Sequence, residues 1–453
     1  MPTLTGNQSA NVSGTKYIDS RCIVDFRPND DWKGEYGFDW FRRGDANENI
    51  NGTVTASKYT EIAGKYDPKD PDYSDAGVLK QKIGNIDYVH KLANDEYSSF
   101  KVVGFSNRTY LAPYISLYYM STIQWEGNQT RRLPNVMLYK KDEKYYQHDF
   151  CKSGATIKAI INAKNIEKIE FICDKSLTVS PNVLTGISDG KSVKTITIRH
   201  NYAFSEGHQS IKAFAHHKDG VTKTFAGQIN VVKCEPKTVD ICFVNVKIQI
   251  NRSVSLGIPD STFSTTQQNN LKRFFSQAHI IPNIVTKSLD LNQESIADHL
   301  TSRTFEKNGK RYSISFILKY NSDNSGYIGD KLEQWFNEKY PSMANTYKIF
   351  FLGEYGMRAS NGKDVYLGGH ANGIPSKGLV IYKDPEESVV CHEILHCYGL
   401  YHSFSNSGKH TFEKYKTNNI MDYSTNTISL WRWQWNVIRN ALDVNSILQS
   451  NGT

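Results

Sequence analysis

The segment His392-Glu-Ile-Leu-His396-Cys-Tyr-Gly399-Leu-Tyr-His402 carries the residues of this chain best spaced for chemistry. On a helix, side chains four apart project from the same face, so His392 and His396 form a chelating pair for one metal ion. Glu393 stands beside them, placed to take a proton from a water held by that ion. Gly399 accepts the left-handed backbone that ends a helix and turns the chain sharply. That turn can bring His402 back as a third ligand. Three imidazoles leave one tetrahedral position of a zinc ion for water, whose pKa zinc lowers to about 7. A bare H-E-x-x-H arises by accident in roughly one or two chains per hundred of this composition. The glycine and third histidine at fixed positions lower that to roughly a few in 10⁵. The bland alternative, an amphipathic helix with core histidines, is correspondingly disfavoured.

Upstream, Asp384-Pro385-Glu386-Glu387 supplies an N-cap, a proline at the first helical position and a capping carboxylate. The helix is therefore expected to start at about residue 385. The whole segment resembles the metzincin metalloproteases, whose signature is H-E-x-x-H-x-x-G-x-x-H followed by a Met-turn. Asn418-Asn-Ile-Met421-Asp-Tyr423-Ser matches that turn, and the resemblance implies that Met421 forms an apolar base beneath zinc. A tyrosine two residues on, as Tyr423 is here, resembles the astacin and serralysin branches. There the phenol ligates zinc at rest and swings out to hydrogen-bond the oxyanion. Ser403, directly after the third histidine, looks matrixin-like instead, so the branch and Tyr423's role stay open, a core tyrosine being the other reading. Gly368-Gly-His-Ala-Asn-Gly373 with Lys377-Gly-Leu-Val-Ile-Tyr382 resembles the bulge and strand that pair with an extended substrate in the family. His370 can line that cleft, serve another metal or be a plain bulge residue. The resemblance covers roughly residues 238–445.

The elements behind the motif read as strands interleaved with helices. Strand-like stretches at 238–250, 312–320 and 347–352 alternate with helical ones at 266–279 and 330–339, an α/β (α+β) layered domain with a partly parallel sheet over 237–453. Trp431, Trp433 and Trp435 fall in a helix expected over 429–442, where they serve core packing. Cys391 and Cys397 are six apart on one helix, face different ways and should not bond. The run from Asn321 begins like a calcium loop but has Leu332 where the loop needs Glu.

Residues 151–236 show five strand-like runs separated by turns such as Ser188-Asp-Gly, the pattern of an immunoglobulin-like β-sandwich. His216 and His217 are adjacent in one of them and point to opposite faces, so they cannot readily share a metal. Residues 1–150 read as a separate β-rich domain for delivery or binding, with strands at Cys22-Ile-Val-Asp-Phe and Phe100-Lys-Val-Val-Gly-Phe. Its aromatic run from Trp32 to Arg42 is expected to form a small core of its own rather than a ligand platform.

The chain of 453 residues is thus expected to be multidomain. Its 54 basic and 46 acidic residues are spread thinly, which argues against a nucleic-acid partner. No apolar run approaches the ~18 residues of a membrane span. The opening residues lack the charged and apolar regions of a secretory signal, and seven scattered cysteines do not form a disulfide framework. Synthesis in a reducing cytoplasm is the expectation, with sequons such as Asn51 and Asn107 left unglycosylated. Cys22 and Cys151 lie in no clear cysteine-switch sequence, though either could plug a zinc. The front end is similar in texture to the N-terminal regions of Bacteroidetes-type effectors of contractile (type VI-like) secretion systems. That resemblance implies a toxin exported by a leaderless route, with a secretion apparatus and an immunity protein as partners beside a protein or peptide substrate. Two other readings stand next to the zinc endopeptidase: a binding or adhesion protein with the zinc lobe as scaffold, and a peptidoglycan peptidase.

Overall fold

The computed structural model describes residues 19–41, 120–139, 152–232, 235–247, 263–291, 300–353, 356–383 and 385–450, apart from a few positions within those ranges. The strand expected at residues 100–105, Cys151 and Asp384 lie outside them. The protein is β-rich and built from several sheets.

Two of the sheets face each other. One runs in the order β1 (Arg21–Pro28), β4 (Gly154–Lys164), β8 (Gly190–His200), β6 (Leu177–Ser180). The other runs β2 (Gly37–Asp39), β3 (Asn135–Met137), β10 (Lys223–Val232), β9 (His208–His217), β5 (Ile166–Ile172), β7 (Val183–Thr185). Period-two alternation drives the packing. Ala155, Ile157, Ala159, Ile161 and Ala163 of β4 meet Ile211, Ala213 and Ala215 of β9 in one apolar core. Where β1 crosses closest, a Cβ on Gly227 would lie 2.0 Å from the Val24 carbonyl oxygen, so only glycine fits.

Strands β1, β2 and β3 come from the segment expected to stand alone as residues 1–150, and they complete these sheets. The reason is apolar: Trp32, Tyr36, Phe38 and Trp40 do not close a core of their own but extend the one between the sheets. Phe38 lies 5.7 Å from Trp40 and 6.4 Å from Trp32 between ring centroids. Cys22 is buried in the same core. His216 and His217 do diverge, across a register shift: His216 contacts Glu170 at 2.9 Å and His217 contacts Thr224 at 2.8 Å.

The third large sheet has the order β12 (Ile280–Asp290), β11 (Lys237–Lys247), β13 (Tyr347–Leu352), β15 (Gly378–Ile381), β14 (Gly369–Ala371). All neighbours are parallel except the edge pair β15–β14. Helices α1 (Thr265–Gln277), α3 (Val389–Cys397) and α4 (Arg432–Ser450) cover one face through Ile241, Ile349, Leu271, Leu395 and Trp435. Helix α2 (Ile328–Lys339) covers the other through Leu332 and Phe336 against Phe350 and Val380. Ser264 and Gln267 form a reciprocal capping box at the start of α1. Among the described residues no helix is long and apolar enough to cross a membrane.

The sandwich and this layered unit meet through buried polar contacts. The Arg432 amide, at the start of α4, donates to Asp39 Oδ2 at 3.0 Å, and Arg432 Nη1 donates to Asn135 Oδ1 at 3.3 Å. On the layered side of this seam, Gln277 of α1 donates to the Ile428 carbonyl and accepts from the Leu430 amide, both at 2.9 Å. Asp39 is 1% exposed, so Asp39→Ala strands a buried helix-terminal N–H. We predict a loss of about 1–3 kcal/mol, read as a lower unfolding midpoint, with most of it restored by Asp39→Asn, which keeps the acceptor. An unchanged midpoint in the alanine variant contradicts this role.

Candidate metal centre

Helix α3 starts later than the sequence signals indicate. Its first residue is Val389, not 385, and Ser388 at the cap makes no side-chain capping bond. Residues 386–389 instead form a turn closed by the Val389 amide on the Glu386 carbonyl, and the first α-type bond runs from His392 N to Ser388 O. Cys391, Ile394 and Leu395 bury this helix against the sheet. His392 and His396 project from the same side toward His402.

The C-terminal end behaves as its glycine requires. Gly399 has φ +91°, its amide bonds the His396 carbonyl at 2.8 Å, and the Leu400 amide bonds the Leu395 carbonyl at 3.1 Å. This is a Schellman motif. The same turn presents the Leu400 carbonyl to His396 Nδ1. His392 Nδ1 in turn donates to the Ile420 carbonyl at 2.8 Å.

The Nε2 atoms of His392, His396 and His402 lie 3.1–3.2 Å from one another. Burial depresses the pKa of His392 to about 4 and of His396 to about 3, so both rings are neutral. Each spends its one hydrogen on a carbonyl through Nδ1, leaving two Nε2 lone pairs turned on each other and on His402. Three ring nitrogens this close, two of them turned inward without a hydrogen, fit a shared cation. The donor set is able to hold a metal ion, and imidazole suits borderline divalent metals.

Glu393 Oε2 accepts the Ala371 amide at 2.9 Å. Ala371 belongs to β14, an edge strand whose inward bonds to β15 run through Gly368 O and Asn372 N. The alternation turns the main-chain groups of Gly369 and Ala371 away from β15. His370 faces the other way: its Nδ1 lies 3.3 Å from the Tyr382 hydroxyl, and burial lowers its pKa to about 4. It is not in the histidine cluster.

Met421 is fully buried, and its carbonyl accepts the Ser403 amide at 2.9 Å, tying the turn to the chain just after His402. Tyr423 is not a core residue; it is 40% exposed with its hydroxyl 3.0 Å from His402 Nε2. Phe404 stacks on His402 at 4.8 Å and 7°. Trp431, Trp433 and Trp435 are all buried. Cys391 and Cys397 are free, with burial pushing both thiols up to about 12.

Residues that the motif does not name hold the turn. Asp422 accepts four bonds, from the amides of Tyr415, Thr417 and Tyr423 and from the Thr417 hydroxyl, at 2.7–2.9 Å. Burial raises its carboxyl pKa against the pull of those donors. Asn419 and Gln434 exchange amide bonds at 2.6 and 3.0 Å, both fully buried. Gln434 also accepts the Trp431 amide at 2.8 Å. The signal for Asn419 and Asp422 was their place on either side of Ile420-Met421. Gln434 is one polar position among three tryptophans, and local spacing assigns it no partner.

An alanine at Gly399 would find open space but a backbone at φ +91°, a strain of about 1–2 kcal/mol. Because relaxing it moves the Leu400 carbonyl off His396, we predict that Gly399→Ala lowers divalent-metal affinity by roughly 10–100-fold. Competition against a chromophoric chelator measures this; unaltered affinity contradicts it.

No family model matches the chain, and no curated protein matches it. Among solved structures it is similar to one described as the crystal structure of the S-layer protein rSbsC(31-844), with 10% identity and a TM-score of 0.14. That match covers 55% of this chain and 25% of the other, so the chain spans about a quarter of the structure it matches. A likeness at that score carries no argument about fold or activity.

Proposed function

We propose that the chain is a zinc-dependent endopeptidase of metzincin type, with His392, His396 and His402 as metal ligands and Glu393 as general base. The observation that carries this reading is the convergence of three imidazole Nε2 atoms within 3.2 Å, with Glu393 on the same helix. When bound, zinc supplies Lewis acidity that polarises a carbonyl and acidifies water. The remaining work falls to the chain. The outward main chain of Gly369 and the outward carbonyl of Ala371 pair with an extended peptide by strand addition. Glu393, oriented by the Ala371 amide, takes the proton of the attacking water and returns it to the leaving amine. Tyr423, whose hydroxyl already lies beside His402, donates a hydrogen bond to the developing oxyanion.

The finer domain reading belongs to the same proposal. The sandwich, which draws strands from residues 21–28, 37–39 and 135–137 as well as 154–232, is immunoglobulin-like, 237–453 is the catalytic domain, and the front of the chain serves delivery or target binding. Export of the whole as a toxic effector by a leaderless route rests on the texture of that front end.

Glu393→Gln keeps the ligands and loses the base. We predict that it retains zinc while casein hydrolysis falls by about 10²–10⁴-fold, and that His396→Ala loses both metal and activity. Hydrolysis by the glutamine variant at near wild-type rate would sink the mechanism.

A further inference from the structure

The strand that orients the general base is short and lies at the edge of its sheet. β14 spans Gly369–Ala371 and meets β15 through three residue pairs. Its Ala371 amide is the donor to Glu393 Oε2, while the Ala371 side chain packs on the side of the sheet covered by α1, α3 and α4. One residue on, the Asn372 amide bonds the Gly378 carbonyl at 3.0 Å, and the Asn372 side chain turns to the other side, toward α2. There its Nδ2 donates to Glu333 Oε2 at 3.3 Å. The amide nitrogen must face Glu333, because a carboxylate only accepts.

Glu333 is itself held from behind. Its Oε1 accepts from Lys348 Nζ at 3.3 Å, and Lys348, which also donates to the Ala344 carbonyl, has a fully buried side chain. Strand β13 thus puts an ammonium on a face that otherwise buries Phe350 and Leu352. A buried cation is costly without a partner, so Lys348 fixes Glu333 and leaves its second oxygen for Asn372. The space around the amide is equally specific. A Cβ on Gly329 of α2 would lie 1.8 Å from Asn372 Oδ1, and one on Gly378 of β15 would lie 2.6 Å from Asn372 Nδ2 and 2.7 Å from Glu333 Oε2. With any other residue at either position the Asn372 side chain has to move. An ion pair that only stabilised the fold would need neither glycine, nor an asparagine at the end of β14.

We propose that Glu333 is a positioning residue for the peptidase reaction: held by Lys348, it clamps Asn372 and thereby fixes the edge strand whose Ala371 amide aims Glu393. This rests on the peptidase reading of the histidine cluster. In that reading β14 does two things at once, since the Ala371 amide orients the base while Gly369 and the Ala371 carbonyl face the peptide. Main-chain bonds to β15 set the register of so short a strand, and the Asn372 clamp sets how its end stands against α3. Misplacing a reacting group by about 1 Å costs up to roughly 10²-fold in rate. A loosened end of β14 is therefore felt at Glu393, although Glu333 and Asn372 act only through the strand.

Two double variants of the full chain separate this role from that of a stabilising ion pair. Glu333→Gln with Lys348→Met removes both charges and keeps an oxygen for Asn372; Glu333→Leu with Lys348→Met removes both charges and that oxygen. Replacing a buried pair as a whole leaves a fold standing, and both doubles are checked for zinc content and unfolding midpoint. The expected result is that the glutamine double cleaves casein within about threefold of wild type, while kcat of the leucine double falls by about 10–100-fold with its zinc retained. Amide hydrogen exchange over residues 369–373, read by mass spectrometry without any substrate, speeds up by roughly tenfold in the leucine double alone. Asn372→Ala, which leaves the ion pair whole, shows the same loss and the same faster exchange. Equal kcat in the two doubles, high or low, overturns the proposal while the peptidase reading stands. So does a difference in kcat with no difference in exchange, or a loss that only follows the zinc content or the midpoint. A zinc-loaded wild type that cuts no peptide overturns both.

Discussion

Three imidazole nitrogens meet within 3.2 Å in a mostly buried site. Lone pairs pressed together repel unless a cation sits among them. Burial makes protonation an unfavourable way out, since it drives the His392 and His396 pKa values down to about 4 and 3. The rings also cannot turn aside, because each of those two is locked by a carbonyl on Nδ1. The fold therefore holds three nitrogen donors in an arrangement able to take a metal ion, and the rest of the local structure keeps the carbonyls in place.

Each carbonyl is fixed by a different device. Leu400 is set by the Schellman turn at Gly399, so a purely local backbone preference orients His396. Ile420 lies in a turn with no regular secondary structure, and long-range contacts hold it. Asn419 is clamped by Gln434 of α4, Asp422 gathers four donors from residues 415–423, and the start of α4 is fixed by Asp39 of the sandwich. The line from Asp39 through α4 and Asn419 to His392 joins the front of the chain to the metal centre through buried hydrogen bonds. Groups buried in this way are costly to leave unpaired, which makes the line stiff.

The parts of this site that were legible in the sequence are those governed by short spacing. The i, i+4 pair, the adjacent glutamate, the turn glycine and the returning histidine need eleven consecutive residues and ordinary helix geometry, and the three histidines do converge. Period-two alternation likewise exposed five of the seven described strands between residues 154 and 232, the short β6 and β7 giving too few residues to show it. Helix entry was misjudged because Asp384-Pro385 looks like a local cap, whereas the chain spends residues 386–389 on a turn before the helix begins. The separate front domain failed for a related reason. Hydrophobic aromatics near Trp32 announce a core but not which one, and the pairing of β1 with β4 spans well over a hundred residues. Asp39 and Gln434 were invisible for the same cause, since the partners shown for them are defined only by tertiary contact.

The proposed chemistry depends on the three histidines sharing a metal ion. X-ray absorption at the zinc edge on the purified full chain, with metal content measured on the same sample, addresses this directly. The expected result is one zinc per chain with three imidazole nitrogens at about 2.0–2.1 Å, and loss of that signal in His396→Ala. A chain that takes up no zinc under saturating conditions, or a zinc signal that survives His396→Ala unaltered, would contradict it.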